Sequence, residues 1–229
     1  EWCDTIAHGS RGIGNDKIRL QNAITALAPD IDVVMPLVEL NLLTVADDVA
    51  YAREHRLKIE SERKALYNVE QNLWGNNIQL RGLNETWEEP PRDTYVMTTA
   101  PSEAPAKPTI VEISFEAGIP VRLDGEELRP VQLIDRLNKL AGRAAVGRFD
   151  VIENRIGGLK TRELYEAPAA HTIITAHRAL EAITLEKGVL HVKEGLSRGY
   201  ADIVYGGRWF TAEREGLDAY FAKVSERVT

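Results

Sequence analysis

The chain has 229 residues, 44% hydrophobic and 28% charged, an ordinary soluble globular composition with room for one large domain or two small ones. Its 28 Lys and Arg against 35 Asp and Glu leave a formal charge of −7, which argues against nucleic acid as the main partner, because phosphate neutralisation needs a basic face; a small anion held by a local cluster stays open. No apolar run approaches the roughly 20 residues of a membrane span, and a single cysteine with five scattered histidines offers neither an internal disulfide nor an evident zinc site, which points to a reducing, cytoplasmic compartment.

The chain opens on Glu1-Trp2-Cys3-Asp4-Thr5-Ile6-Ala7, without Met or signal-peptide features. It reads as the inside of a strand over Asp4 to Ala7, leading straight into the glycine loop His8-Gly9-Ser10-Arg11-Gly12-Ile13-Gly14. Leu217, Tyr220, Phe221, Val224 and Val228 keep helical spacing almost to Thr229. Both ends read as those of an internal segment of a longer protein. After the glycines, Leu20, Ile24 and Leu27 recur at i, i+4 and i+7, which predicts a helix from Asn15 to about Ala28, stopped by Pro29. Ile31 to Leu37 reads as a buried strand. Thr44-x-x-Asp47 resembles a capping box with Asp in place of Glu, opening a helix that carries Val45, Val49 and Ala52. Leu57-Lys58-Ile59 suggests a further short strand. This alternation predicts a parallel α/β unit up to about residue 60.

The later chain differs. Residues 87–108 are rich in Pro and charge and read as a surface connection. Val111, Ile113 and Phe115 alternate with polar residues, and Val121 and Leu123 follow a turn at Gly118, with a second turn at Asp124-Gly125; this is a half-buried hairpin. Pro130 begins an amphipathic helix carrying Leu133, Ile134, Leu137 and Leu140. Arg148 to Ile156 reads as a strand and Ala169 to Ile183 as a helix, with two more helical stretches behind it.

The glycine loop matches neither familiar phosphate motif. Gly9 and Gly14 have P-loop spacing, but Asn15-Asp16 stand where Lys-Ser/Thr belongs, and the G-x-x-G-x-G order is not the dinucleotide fingerprint. A tight strand–helix turn explains the glycines equally well. Asn15, Asp16 and Arg19 add an amide, a carboxylate and a cation at one helix start. Taken singly they are a cap, a first-turn acid and a solvated cation; together they suit a zwitterionic amino acid, whose carboxylate wants Arg and whose ammonium wants Asp.

The segment Ala7-His8-Gly9, Gly12, Gly14-Asn15-Asp16 and Arg19 resembles HGxTGKGNDxxR of the argininosuccinate synthases. Tyr67 with Asn72-Leu73-Trp74-Gly75 is similar to YS(I/M)DxNLWGRS, Gly147-Arg148, Asp150 and Val151 to Arg155 to GVGRxDxVENR, and Lys160 to Ala169 to KSRxxYExPA. Leu128 to Gly142, Ala176-His177 and Tyr200 to Phe210 also follow the family. The likeness covers essentially the whole chain in correct order.

The resemblance implies an α/β fold: a partial parallel-sheet nucleotide-binding domain over residues 1–60, followed by a truncated α+β synthetase domain over 61–229. It implies an AMP-forming carbon–nitrogen ligase of arginine biosynthesis. Citrulline's ureido oxygen attacks the α-phosphate of ATP, and the aspartate amine displaces AMP, giving argininosuccinate and pyrophosphate. ATP with Mg2+ enters as substrate, with no resident metal. The partners implied are citrulline, aspartate, ATP and further copies in a homotetramer, with no nucleic acid and no membrane. The pyrophosphate-gripping SGGxDTS loop would precede residue 1 and an oligomerisation tail would follow Thr229, so these 229 residues alone are expected to be inactive. Residue by residue, Gly9 would contact ATP, Asn15 and Asp16 would bind aspartate, Asn15 would also reach citrulline, Arg19 would meet the citrulline carboxylate, and Glu153 and Tyr165 would complete the citrulline site, at the junction of the two domains. No residue is assigned to the chemical step itself.

Four positions depart from the pattern. Arg11 stands where the family has an aspartate-binding Thr, Ile13 where it usually has Lys, and Asn68 and Asn77 where two Ser contact citrulline. Asn replaces Ser as donor and acceptor but is larger, and Arg11 brings a full charge to the amine-substrate corner. Two other readings therefore stand beside the first: the same adenylation chemistry on another ureido or amine substrate, and a non-catalytic homologue.

Overall fold

The computed structural model describes residues 3–11, 14–42, 44–58, 67–80 and 89–229. It forms two compact units. The first comprises Glu1–Glu62, Asn154–Leu159 and Lys193–Tyr220; the second comprises Arg63–Glu153, Lys160–Val192 and Phe221–Thr229.

In the first unit β1 (Thr5–Ala7) pairs parallel with β2 (Asp32–Val34), with α1 (Asp16–Leu27) between them. This is the strand–helix–strand rhythm of the sequence. Ile31 to Leu37 divides, however: only Asp32–Val34 is strand, and Pro36 opens the short helix α2 (Pro36–Glu39). Proline's fixed φ and missing N–H suit the first helical position and cannot serve a ladder. The Thr44 box forms as read. The Asp47 backbone N–H donates to Thr44 Oγ1 at 3.2 Å and the Thr44 N–H donates to Asp47 Oδ2 at 2.7 Å, opening α3 (Val45–Glu54). Leu57 and Lys58 are not strand, and Ile59 lies outside the described residues. The apolar stripe of α1 is not buried: Leu20 is 41% and Leu27 63% exposed. Parallel sheets ordinarily bury both faces, and the two strands described here present too little apolar area to cover the helix.

The second unit holds two antiparallel sheets. One is built from β5 (Ile113–Glu116), β6 (Ile119–Leu123) and β7 (Glu126–Glu127), around the two turns expected at Gly118 and Asp124-Gly125. Residues 89–108 contain just two short 3-10 turns, Arg92–Thr94 and Pro101–Glu103. Helices α4 (Pro130–Arg143) and α5 (Pro168–Thr184) pack over the hairpin. Leu133 and Leu137, one turn apart on α4, are 0% exposed and meet Phe115, Leu123, Ala169 and Ile173 in the main core. Complete burial of such a side chain contributes roughly 1.5–3 kcal/mol.

The other sheet runs β3 (Tyr67–Asn72), β4 (Gly75–Leu80), β9 (Lys160–Glu166), β8 (Arg148–Asn154). The sequence reading anticipated β8 but assigned no strands to β3, β4 or β9. Register places Asn76 opposite Glu166, Asn77 opposite Tyr165 and Ile78 opposite Leu164. Side chains alternate across a sheet, so Asn76, Ile78, Leu164 and Glu166 share the inner face, all at most 2% exposed. Asn77, Glu163 and Tyr165 share the other. Helices α6 (Lys187–Tyr205) and α7 (Ala212–Ser225) complete the chain. No described helix is long and apolar enough to cross a membrane.

Candidate functional site

The first unit gathers three of the expected residues at the start of α1. Asn15 is the N-cap, but its φ and ψ of −70° and −26° are helical and its side chain makes no cap. Its amide is engaged elsewhere: Nδ2 donates to the Tyr205 hydroxyl at 2.8 Å, and Oδ1 accepts from the Ile156 N–H at 3.0 Å. One turn on, Arg19 Nε donates to the Tyr205 carbonyl at 2.8 Å, and its guanidinium carbon lies 4.9 Å from the centre of the Tyr205 ring. Asp16, exposed, sits 3.5 Å from Arg19. At that separation in water the pair contributes well under 1 kcal/mol.

Gly9 and Arg11 stand apart from this group. Gly9 lies exposed in the loop after β1. A Cβ there would meet nothing within 4 Å, and its φ is not left-handed. Neither packing nor backbone conformation within the described residues requires glycine at this position. Arg11 forms an ion pair with Asp48 in the first turns of α3. Its side chain is 40% exposed. The other Asp48 oxygen, Oδ1, is buried without a hydrogen-bond donor. Gly12 and Ile13 lie outside the described residues.

In the second unit, sheet register brings Asn77, Glu153 and Tyr165 together. The Tyr165 hydroxyl donates to Glu153 Oε2 at 2.8 Å, and Asn77 Nδ2 donates to Glu163 Oε2 at 3.3 Å. Burial, then the hydrogen bond to the Glu153 carboxylate, push the Tyr165 phenol well above its ordinary pKa. It therefore stays protonated and acts as a hydrogen-bond donor across the physiological range. Asn68 occupies the β3 register position opposite Gln79, two residues along from Asn77; its side chain lies outside the description.

Three residues in these arrangements were not singled out from the sequence: Tyr205, Asp48 and Glu163. Tyr205 lies within a stretch that follows the family pattern, which was its one signal. Glu163 likewise lies within the stretch Lys160 to Ala169 that follows the family, while Asp48 depends on tertiary contact alone. A fourth, Glu166, is an internal anchor. It is 0% exposed and accepts from the backbone N–H groups of Val96, Met97 and Thr98, from Thr98 Oγ1 and from Asn76 Nδ2, at 2.6–3.2 Å. Among the described residues no group of three or more His, Cys, Asp or Glu is placed to hold a metal ion.

Comparison with known proteins finds two family models that match in succession along the chain. Residues 1–58 match the arginosuccinate synthase N-terminal HUP domain, and residues 67–229 match the arginosuccinate synthase C-terminal domain. The chain is 43% identical over all 229 residues to an argininosuccinate synthase of Pelodictyon phaeoclathratiforme, covering 57% of that protein. The figures are the same for an argininosuccinate synthase of Chlorobaculum tepidum. For one of Rubrobacter xylanophilus the identity is 46% over 224 residues, covering 98% of this chain and 54% of the relative. The chain thus spans a little over half the length of the curated relatives it matches. With both domain types present in order, a parallel α/β unit first and antiparallel sheets after it, the chain belongs to the argininosuccinate synthase family.

Proposed function

We propose that the protein carrying this chain condenses citrulline with aspartate, using ATP, by way of a citrullyl-AMP intermediate. The match of both family domains along the chain carries this reading. The ureido oxygen attacks the α-phosphate and pyrophosphate leaves. The aspartate amine then attacks the ureido carbon, loses a proton and expels AMP, leaving argininosuccinate. Activation is needed because a neutral urea has no good leaving group, and coupling is fast when the amine is held beside the adenylated carbon.

In this reading Gly9 lies against ATP, since a glycine without an internal structural reason allows close backbone approach. Asp16 takes the aspartate ammonium, Arg19 the citrulline carboxylate, and Asn15 reaches both substrates. Glu153 and Tyr165 hold citrulline through the donor that the Tyr165 hydroxyl keeps. Asn68 and Asn77 take the roles of the family's serines, and Arg11 meets a carboxylate of aspartate. Mg2+ would arrive on the polyphosphate, the usual habit of this ion at nucleotide sites. The protein would act as a cytoplasmic homotetramer in arginine biosynthesis.

One observation favours a related reading, in which the same chemistry serves another amine donor. Arg11, standing where the family has Thr, is already paired with Asp48, so a substrate carboxylate would have to compete for it. A single experiment separates the two. The protein at its natural length is assayed for pyrophosphate release with citrulline and a panel of amines, using citrulline labelled with 18O in its ureido group. Aspartate-dependent turnover with the label recovered in AMP is the expected result. Turnover with another amine alone favours the second reading, and absence of label from AMP refutes adenylation at oxygen.

A further inference from the structure

We infer that Tyr205, at the C-terminal end of α6, is a positioning residue for the amino-acid substrates, orienting both Asn15 and Arg19; the inference rests on the function proposed above. Tyr205 touches each of these residues through a different group. Its hydroxyl accepts from Asn15 Nδ2 at 2.8 Å and donates to the Asn154 carbonyl at 3.2 Å. Its carbonyl accepts from Arg19 Nε at 2.8 Å, and its ring lies beneath the Arg19 guanidinium.

These contacts decide which way the Asn15 amide faces. A primary amide has two N–H donors and two acceptor lone pairs. Here one donor goes to Tyr205 and one lone pair takes the Ile156 N–H. A flip would set N–H against N–H at Ile156 and draw the Tyr205 proton away from Asn154. The amide is therefore held with one donor and one acceptor position left. That pair matches an amino-acid zwitterion, whose carboxylate accepts and whose ammonium donates. Arg19 is constrained in the same way. With Nε bound to a carbonyl and the plane resting on a ring, the edge carrying its terminal nitrogens, one of which lies 3.5 Å from the exposed Asp16, is turned to form the fork that a carboxylate engages.

The end of α6 is seated firmly enough to do this. Asn22 Nδ2 donates to the Gly206 carbonyl at 2.8 Å. Gly207 adopts φ +69°, and a Cβ there would lie 2.5 Å from Arg19 Cα. The chain thus passes α1 at a distance that glycine alone permits.

Steady-state kinetics of the natural-length protein tests the inference with Tyr205→Phe and Tyr205→Leu. Tyr205→Phe keeps the ring and the carbonyl and removes the hydroxyl that orients Asn15. It should raise the KM for aspartate and for citrulline about 3- to 10-fold, the worth of one neutral hydrogen bond, with the KM for ATP unchanged. Tyr205→Leu also removes the platform under Arg19 and should raise the citrulline KM further. A residue that merely packs would lower the melting temperature and the active fraction, hence kcat, and leave each KM alone. That result, or amino-acid KM values within about twofold of wild type in Tyr205→Phe, overturns the inference. If Tyr205→Leu does not fold, Tyr205→Phe decides by itself. Failure of the proposed function shows separately, as absence of citrulline- and aspartate-dependent pyrophosphate release in the wild type, and overturns both.

Discussion

Replacement of Glu166 by Gln should be one of the most destabilising conservative changes in the second unit. The carboxylate is fully buried. Its Oε1 accepts from Met97 N, Thr98 N and Thr98 Oγ1, and its Oε2 from Val96 N and Asn76 Nδ2. A glutamine amide can reproduce the Oε1 set, but its NH2 must then face two donors. A buried donor left unsatisfied costs roughly 1–3 kcal/mol, so Glu166→Gln should cost about 2–4 kcal/mol after partial relaxation. The donors cannot easily escape to water, because the same loop is held from another side. Arg148 donates to Thr98 Oγ1 and to the Thr98 carbonyl, both at 2.6 Å, and lies 3.9 Å over the Tyr95 ring. Glu166→Ala, which leaves three backbone N–H groups without an acceptor, should cost about 4–5 kcal/mol. Urea unfolding is the assay, read as a fall in midpoint at constant m-value. A Glu166→Gln protein within about 1 kcal/mol of wild type would show that the network contributes little and would refute the reasoning.

Arg11→Thr removes the half-exposed pair with Asp48; after screening it should cost no more than about 1 kcal/mol of stability, yet raise the aspartate KM about 10- to 150-fold if Arg11 meets a substrate carboxylate through a charge-assisted bond. An unchanged KM rejects Arg11 as a ligand. Tyr165 is raised above its ordinary 10.0, so its contribution to stability is complete below about pH 10 and declines as pH rises further, because the unfolded chain loses the proton first. Spectrophotometric titration checks this: Tyr165→Phe should lose phenolate absorbance from the limb above about pH 10, and a loss centred on the ordinary tyrosine value contradicts it. Asp150 shows the opposite sign. Its bond to Arg162 holds the carboxyl below 3.8, so its contribution is present above about pH 4 and fades in acid; being 40% exposed it should be small, and Asp150→Asn should flatten the acid limb of stability only slightly. Gly207→Ala meets both a left-handed φ and the Arg19 backbone, and a loss of about 2–4 kcal/mol is expected by thermal melting; a wild-type melting curve would deny the close approach.

Much of the architecture was legible because local rules and tertiary demands agree. The Thr44–Asp47 cap, the helix opened by Pro130 and the hairpin turns at Gly118 and Gly125 are written in a few adjacent residues, and each forms as its chemistry directs. The strands β3, β4 and β9 were missed because their sequences are largely polar and their inner face carries Asn76 and Glu166 beside Ile78 and Leu164. Hydrophobic alternation cannot be read where a buried carboxylate takes an apolar position. Ile31 to Leu37 misled in the opposite way, as apolar content suggested strand until Pro36 imposed its φ.

The linear motifs determined the family and named the residue types at the candidate positions, because a motif records which chemistry stands at which spacing. Only the tertiary structure decided what holds those residues. Arg11 is balanced by an acid on α3, Asn15 and Arg19 are oriented by a tyrosine 190 and 186 residues later in the chain, and Tyr165 is kept protonated beside Glu153. The physical reason is that an amide's direction, a guanidinium's open edge and a phenol's pKa depend on partners within a few ångströms, and chain order does not determine which partners those are.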